Sequence, residues 1–206
     1  MTKQELLCYR MTLQELEKWQ ELCISIRAKF AKLNLPALVY EELERRLLPG
    51  TPYTYAKGYS ENDGYFYVEA GDRGNSSLIF KTTSREEAEH KMIKSLAHAV
   101  SYQYNFRNQA QIELEKRGDW RFYNVVDGRK PGRIISHEEE NPVWNYDTKY
   151  DYRKYWFEMA LRILKETVPE KVFQEEAQHY EELLNRRFDI PFWQFDTEQM
   201  VFVCIK

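Results

Sequence analysis

Seven aromatic residues fall within fourteen positions of this sequence, from Trp144 to Phe157. Three consecutive glutamates precede this aromatic cluster, and aspartates are interleaved with its rings. Tyr and Trp offer large, rigid contact area, and carboxylates select a partner of positive charge. This combination favours recognition of another macromolecule through direct side-chain contacts. The residues predicted to contact the partner are Glu138, Glu139, Glu140, Trp144, Tyr146, Tyr150, Asp151 and Tyr152.

The same rings have a second possible use, which is to anchor a long loop on a sheet. Residues 124–149 contain two glycines and two prolines and show no clear period, which is typical of a long connection. Tyr150, Tyr152 and Tyr155 point in different directions from a helix, so one buried face cannot take them all. The interface and the loop-anchoring interpretations both stay open at this point.

Catalytic signatures are absent from the local sequence. The four histidines form no HExxH motif, and the chain has no phosphate-binding loop and no G-x-S-x-G turn. His90 and His98 are eight residues apart, about 80° around a helix, which does not favour a shared metal. The sequence therefore predicts no metal and no cofactor. An enzyme with a pocket between sheet and helices remains an alternative, because catalytic groups such as His90, His98 or His179 can converge in space.

Composition limits the other classes of function. The chain has 206 residues, a net charge of -3 and 15% aromatic residues, which suits one globular domain. A slightly acidic balance argues against general nucleic-acid binding, although the basic and aromatic segment 116–133 leaves an RNA-binding or regulatory protein as an alternative. No apolar run reaches the roughly 20 residues that cross a bilayer, and the polar N-terminus lacks the apolar core of a signal peptide. We therefore predict a cytoplasmic protein without membrane partners, whose three widely spaced cysteines mostly fill the core.

Two capping boxes predict where helices begin, at Thr12-x-x-Glu15 and Ser84-x-x-Glu87. Helical spacing after the first box indicates a long helix with one apolar stripe. That stripe contains Leu13, Leu16, Trp19, Cys23, Ile26, Phe30 and Leu33. Helical spacing also indicates helices at about 37–48 and 84–104, one that Asp147 can cap, and one that begins near Pro169.

Aromatic and branched residues indicate three strands at 53–57, 65–69 and 77–82. Asp63-Gly64 lies between the first two, and Asp-Gly between such runs is a hairpin signal. The strands therefore predict an antiparallel meander.

Residues 192–195 and 200–205 predict a closing hairpin, whose last strand is continuously apolar and so is expected to be buried on both faces. The order of elements predicts an α+β fold, with an antiparallel sheet (central meander plus C-terminal hairpin) packed against several helices. We expect a single domain over residues 1–206, with a helical segment at 1–50 and the sheet and remaining helices at 51–206.

The layout of residues 50–190 resembles the immunity proteins of bacterial polymorphic toxin systems, and within them the Imm63 group. The resemblance lies in Asp63-Gly64-Tyr65-Phe66-Tyr67-Val68-Glu69, Arg73-Gly74, Tyr150-Asp151-Tyr152-Arg153, Phe157-Glu158-Met159-Ala160-Leu161 and Glu181-x-Leu183-Leu184-x-Arg186. It implies a non-catalytic cytoplasmic protein that binds and neutralises a cognate protein toxin. It indicates no functional residues and no oligomeric state.

Overall fold

The computed structural model of the chain describes residues 12–48, 55–72, 75–104, 153–186 and 190–205. These residues contain five helices and two antiparallel sheets, which confirms the predicted α+β class. The helices are α1 (Leu13–Phe30), α2 (Ala37–Leu47), α3 (Arg85–Tyr104), α4 (Arg153–Thr167) and α5 (Glu170–Asn185). The strands are β1 (Tyr55–Ser60), β2 (Tyr65–Asp72), β3 (Asn75–Thr82), β4 (Trp193–Asp196) and β5 (Val201–Cys204). Within these ranges no helix combines the length and the apolarity that crossing a membrane requires.

Helix α1 begins at the predicted capping box. The Thr12 hydroxyl accepts from the Glu15 amide at 3.1 Å, and the Glu15 carboxylate accepts from the Thr12 amide at 2.9 Å. The other oxygen of Glu15 accepts from the Glu61 amide, which ties the β1–β2 turn to the start of the helix. The predicted stripe is buried except at its two ends. Leu13 is 60% exposed, and Leu33 lies beyond the last helical residue, because spacing alone does not show where a helix leaves the core.

Only one of the two hydrogen bonds of the second predicted capping box forms. The Ser84 hydroxyl accepts from the Glu87 amide, but the Ser84 amide donates to the Thr82 hydroxyl instead of to Glu87. The Glu87 carboxylate is engaged by Thr82 and by Lys91. A nearby threonine has therefore replaced the glutamate as the partner of the capping amide.

The chain groups into two compact units. Unit 1 consists of the described residues of Met1–Leu35 and Leu43–Leu96, and unit 2 of those of Pro36–Glu42 and Ala97–Lys206. Unit 1 thus contains α1 and the meander, and unit 2 contains α4, α5 and the hairpin β4–β5. The single domain over 1–206 stays a prediction.

In unit 1 the sheet has the order β1-β2-β3, and α1 packs against β1. The β1–β2 turn ends at Gly64, whose φ of +66° is the left-handed conformation that glycine adopts without strain. One face of the sheet is buried, together with the apolar stripes of α1 and α3. The buried side chains are Leu16, Trp19, Leu22, Cys23, Ile26 and Phe30 of α1, Phe66, Val68 and Phe80 of the sheet, and Ala88, Met92, Ile93 and Leu96 of α3.

In unit 2 the hairpin packs against both helices, β4 against α5 and β5 against α4. Asn185 fixes β4: its carboxamide oxygen accepts from the Phe192 and Trp193 amides, and its nitrogen donates to the Trp193 carbonyl. The prediction that the last strand is buried on both faces is wrong. Phe202 is buried, but Val201 and Val203 are half-buried, because the helices cover one face of this two-stranded sheet.

Two of the three cysteines lie within the described residues. Cys23 is buried in unit 1, as the prediction of core-filling thiols requires. Cys204, at the end of β5, is exposed, so for this residue the prediction is wrong. Cys8 lies outside the described residues.

A buried carboxylate joins α4 to β5. Glu158 accepts from the Phe202 amide at 2.8 Å, and the Lys154 ammonium lies 3.8 Å away. Burial raises the pKa of Glu158, although the Phe202 amide and Lys154 act in the opposite direction. The folded state therefore holds the proton of Glu158 more tightly than the unfolded chain does.

We expect Glu158→Gln to leave the free energy of unfolding at pH 7 unchanged or higher, because the amide keeps an acceptor and carries no charge. Glu158→Ala should lower it by roughly 1–3 kcal/mol, because the buried Phe202 amide loses its partner. Since the folded pKa is raised, stability from this group is complete below the ordinary glutamate value of about 4.3 and declines as pH rises through the folded pKa. Urea unfolding of the three proteins between pH 4 and pH 7 measures both effects, and equal losses for Gln and Ala would contradict this account.

Candidate protein-binding surface

The eight residues predicted to contact a partner lie outside the described residues, so that assignment stays a prediction. They are Glu138, Glu139, Glu140, Trp144, Tyr146, Tyr150, Asp151 and Tyr152. The C-terminal end of the aromatic cluster lies in α4, within the described residues. Trp156 and Phe157 are buried in unit 2 and Tyr155 is half-buried, so this end of the cluster is part of the hydrophobic core.

A second aromatic surface lies on the outer face of the three-stranded sheet. Because side chains alternate along a strand, Tyr65, Tyr67 and Glu69 of β2 lie opposite its buried residues. The register of β3 places Lys81 across from Tyr67 and Leu78 across from Glu69, on the same face. We call these five residues the tyrosine face.

The two tyrosine rings are held in fixed positions. The ammonium of Lys81 lies 3.7 Å from the centroid of the Tyr65 ring, which is a cation–π contact. The Tyr65 and Tyr67 rings meet edge to face, with centroids 6.0 Å apart. Both tyrosines are half-buried, so each presents part of its ring to solvent in a defined orientation. Such rigid aromatic contact area costs little conformational entropy when a partner binds.

Carboxylates give this face a negative character around Tyr67. Burial raises the pKa of Tyr67, and the negative charges of Glu15 and Glu69 raise it further. Glu15 is fixed by the amides of Thr12 and Glu61, so its charge has a defined position. The positioned carboxylate of Glu15 and the charge of Glu69, both close enough to raise the pKa of Tyr67, suit a partner that presents Lys or Arg.

A β-bulge adds aliphatic surface to the tyrosine face. The register shifts beside Val68, so that Ile79 has no partner on β2. Without this extra residue, alternation from the buried Phe80 would turn Leu78 inward. With it, Leu78 and Ile79 are 56% and 54% exposed. The bulge also interrupts the edge of β3, which disfavours the addition of a further strand, so a partner would bind through side chains.

The sequence predicted these strands but did not single out Tyr65 and Tyr67 as surface residues. The available signal was the alternation with Phe66 and Val68, which allows only one of the two sets to face the core. The exposure of Leu78 had no such signal, because it depends on the bulge.

The three histidines that the enzyme alternative would use do not all lie in the same unit. His90 lies in unit 1, whereas His98 and His179 lie in unit 2. The Nδ1 atom of His98 is 3.2 Å from the hydroxyl of Tyr180, whose ring stacks on Phe157 at 4.3 Å. Among the described residues, no group of three or more His, Cys, Asp or Glu side chains is arranged to hold a metal ion.

Tyr180 is the buried centre of this network. Burial raises its pKa well above the ordinary tyrosine value, and the charge of Glu176 and its hydrogen bond with Tyr180 raise it further. The Tyr180 hydroxyl thus contacts both Glu176 and the Nδ1 atom of His98. The network therefore joins α3 to α5 within unit 2.

No model of a known protein family, no curated protein and no solved structure matches this chain. Membership of the Imm63 group accordingly stays a prediction.

Proposed function

We propose that this chain is a non-catalytic cytoplasmic immunity protein that binds and neutralises a cognate protein toxin. The observation that carries the proposal is the tyrosine face, in which two aromatic rings of fixed orientation share the outer face of the sheet with the exposed Leu78 and the carboxylate of Glu69. Binding energy in protein interfaces is concentrated on such aromatic anchors. The resemblance of residues 50–190 to immunity proteins supports the same conclusion.

The electrostatics of the tyrosine face favour a protein partner over a nucleic acid. Glu15 and Glu69 would repel phosphate groups, whereas nucleic-acid binding depends on the replacement of counterions by cationic side chains. Lys81 is a cation on this face, but its charge already lies against the ring of Tyr65. A toxin surface that carries Lys or Arg beside an apolar patch would complement the face.

The predicted contact residues between Glu138 and Tyr152 have the same chemistry, since they combine Tyr and Trp with carboxylates. We include them in the proposal as a second contact region for the toxin. The proposal thus contains two regions, of which the tyrosine face is the one that the described structure supports.

The proposal predicts that Leu78→Asp abolishes protection against the toxin. The test first identifies the cognate toxin by searching the neighbouring reading frames for a large secreted protein with a variable C-terminal domain. That domain is then expressed in a bacterial host together with each form of the chain, and colony survival is measured. Leu78→Asp should weaken toxin binding by about 100-fold or more, and so remove protection, because it places a charge in an apolar contact that costs at least ~3 kcal/mol, and 1.4 kcal/mol is tenfold in affinity.

Ile190→Asp is the matched control, because Ile190 is 59% exposed, close to the 56% of Leu78, and belongs to unit 2. This control should protect as the unaltered chain does. If both variants protect fully, the tyrosine face is not the toxin-binding surface. If the unaltered chain itself gives no protection, the immunity function is wrong.

A further inference from the structure

The aromatic ring of Tyr65 already holds a cation in the unbound chain. The ammonium of Lys81 lies 3.7 Å from the centroid of this ring, where the negative face of the ring attracts it. The affinity of the ring for a cation is thus a contact present in the structure, independent of the carboxylates that surround it. Lys81 is exposed, so this contact lies at the surface, where a partner can reach it.

Lys81 is held on the ring only weakly. The register places it across from Tyr67, so Tyr65 and Glu69 are its two diagonal neighbours on β2, within reach of a long side chain. Its ammonium lies on the Tyr65 ring and, among the described residues, forms no ion pair with Glu69 or another carboxylate. A cation–π contact at an exposed site shifts an equilibrium by roughly two- to fivefold, so a cation that binds the ring more strongly displaces Lys81.

A cation supplied by a bound toxin gains more on this ring than Lys81 does. The interface around such a cation excludes water, and a desolvated cation–π contact is stronger than an exposed one. Lys81, once released, regains the rotamer freedom of its long side chain. Glu15 and Glu69 are near enough to raise the pKa of Tyr67, so their negative charges also attract a cation to this face.

We propose that Lys81 is a built-in competitor of the toxin: it occupies the Tyr65 ring in the unbound chain, and a lysine or arginine side chain of the toxin takes its place in the complex. This inference rests on the proposed immunity function and names the toxin group that binds and the ring that receives it. The exchange replaces one cation by another, and the contact between the Tyr65 and Tyr67 rings stays in place. Lys81 therefore lowers the affinity of the chain for its toxin.

The test measures the affinity of Lys81→Met for the purified toxin domain by isothermal titration calorimetry. Methionine has an unbranched chain whose thioether packs well on aromatic rings, so it holds Tyr65 in position without a competing charge. We expect this variant to bind the toxin about two- to fivefold more tightly than the unaltered chain, which is the factor that an exposed cation–π contact is worth. Lys81→Arg keeps a cation that stacks on the ring, so it should bind no more tightly than the unaltered chain.

Two comparisons separate the exchange on the ring from other effects of the lost charge. Lys171→Met removes the same charge from a lysine of unit 2 whose side chain is 87% exposed, and it should bind the toxin as the unaltered chain does. Tyr65→Leu removes the ring, so Lys81→Met added to that variant should bring no gain in affinity. A gain from Lys81→Met that needs the Tyr65 ring and is absent in Lys171→Met supports the exchange.

An unchanged or lower affinity of Lys81→Met, with unchanged circular dichroism, would overturn the inference and leave the immunity function in place. Equal gains for Lys81→Met and Lys171→Met would overturn it as well, because net charge would then explain both. A gain that persists in the Tyr65→Leu background would show that Lys81 does not act through the ring. If the unaltered chain does not bind the toxin, the proposed immunity function fails, and this inference fails with it.

Discussion

Replacement of Tyr65 and Tyr67 together by alanine is expected to weaken toxin binding by about 100-fold, because hot-spot residues contribute roughly 2 kcal/mol or more each and do not add fully. The two rings are edge to face and are held by Lys81, so the free protein already presents them in one arrangement. Their removal takes away contact area and also the group that orders Lys81. Isothermal titration calorimetry with the purified toxin domain measures the loss.

The double variant Tyr65→Phe/Tyr67→Phe is the matched control. It keeps both rings, and with them the contact to Lys81, so it should retain most of the affinity. The phenylalanine variant also separates the rings from the hydroxyl groups as the source of binding energy. An alanine variant that binds as tightly as the unaltered chain, while its circular dichroism is unchanged, would rule out the tyrosine face.

Asn185→Ala is expected to destabilise unit 2 by roughly 2–4 kcal/mol, because three backbone groups lose their hydrogen-bond partner and each loss costs about 1 kcal/mol. The Asn185 carboxamide bonds the Phe192 amide and both the amide and the carbonyl of Trp193, at 2.7–2.8 Å. These bonds hold the start of β4, which positions the buried ring of Trp193. Urea unfolding monitored by tryptophan fluorescence measures the change.

Asn185→Asp should cost less than the alanine variant, because its carboxylate still accepts from the two amides but no longer donates to the Trp193 carbonyl. Asn34→Ala is the control for an exposed asparagine, and it should change the free energy of unfolding by no more than about 0.5 kcal/mol. An Asn185→Ala variant as stable as this control would contradict the role assigned to the side chain.

Local signals in the sequence predicted the parts of the fold that depend on neighbouring residues. The capping box at Thr12 formed because its partners are three residues apart on one helical turn. The second box formed by half, because Thr82 competes for the Ser84 amide from outside the motif. The meander and the closing hairpin were found because turn residues and alternation are also local properties.

Features that depend on contacts between distant residues were missed. The bulge at Ile79 shifts the register between two strands, and a period of two residues does not reveal it. The partial exposure of β5 depends on what covers each face of its sheet, which an apolar run does not show. For the same reason the outward position of Tyr65 and Tyr67 was not predicted, and the contact surface was expected between Glu138 and Tyr152.

The most direct test of the central claim, that the tyrosine face binds the toxin, is hydroxyl-radical footprinting of the chain with and without a saturating amount of the toxin domain. This method labels exposed side chains, and mass spectrometry then measures the labelling of each residue. The account predicts that the toxin suppresses labelling of Tyr65, Tyr67 and Leu78 and leaves Ile190 labelled as before. Unchanged labelling of Tyr65, Tyr67 and Leu78 in a complex that has formed would contradict it.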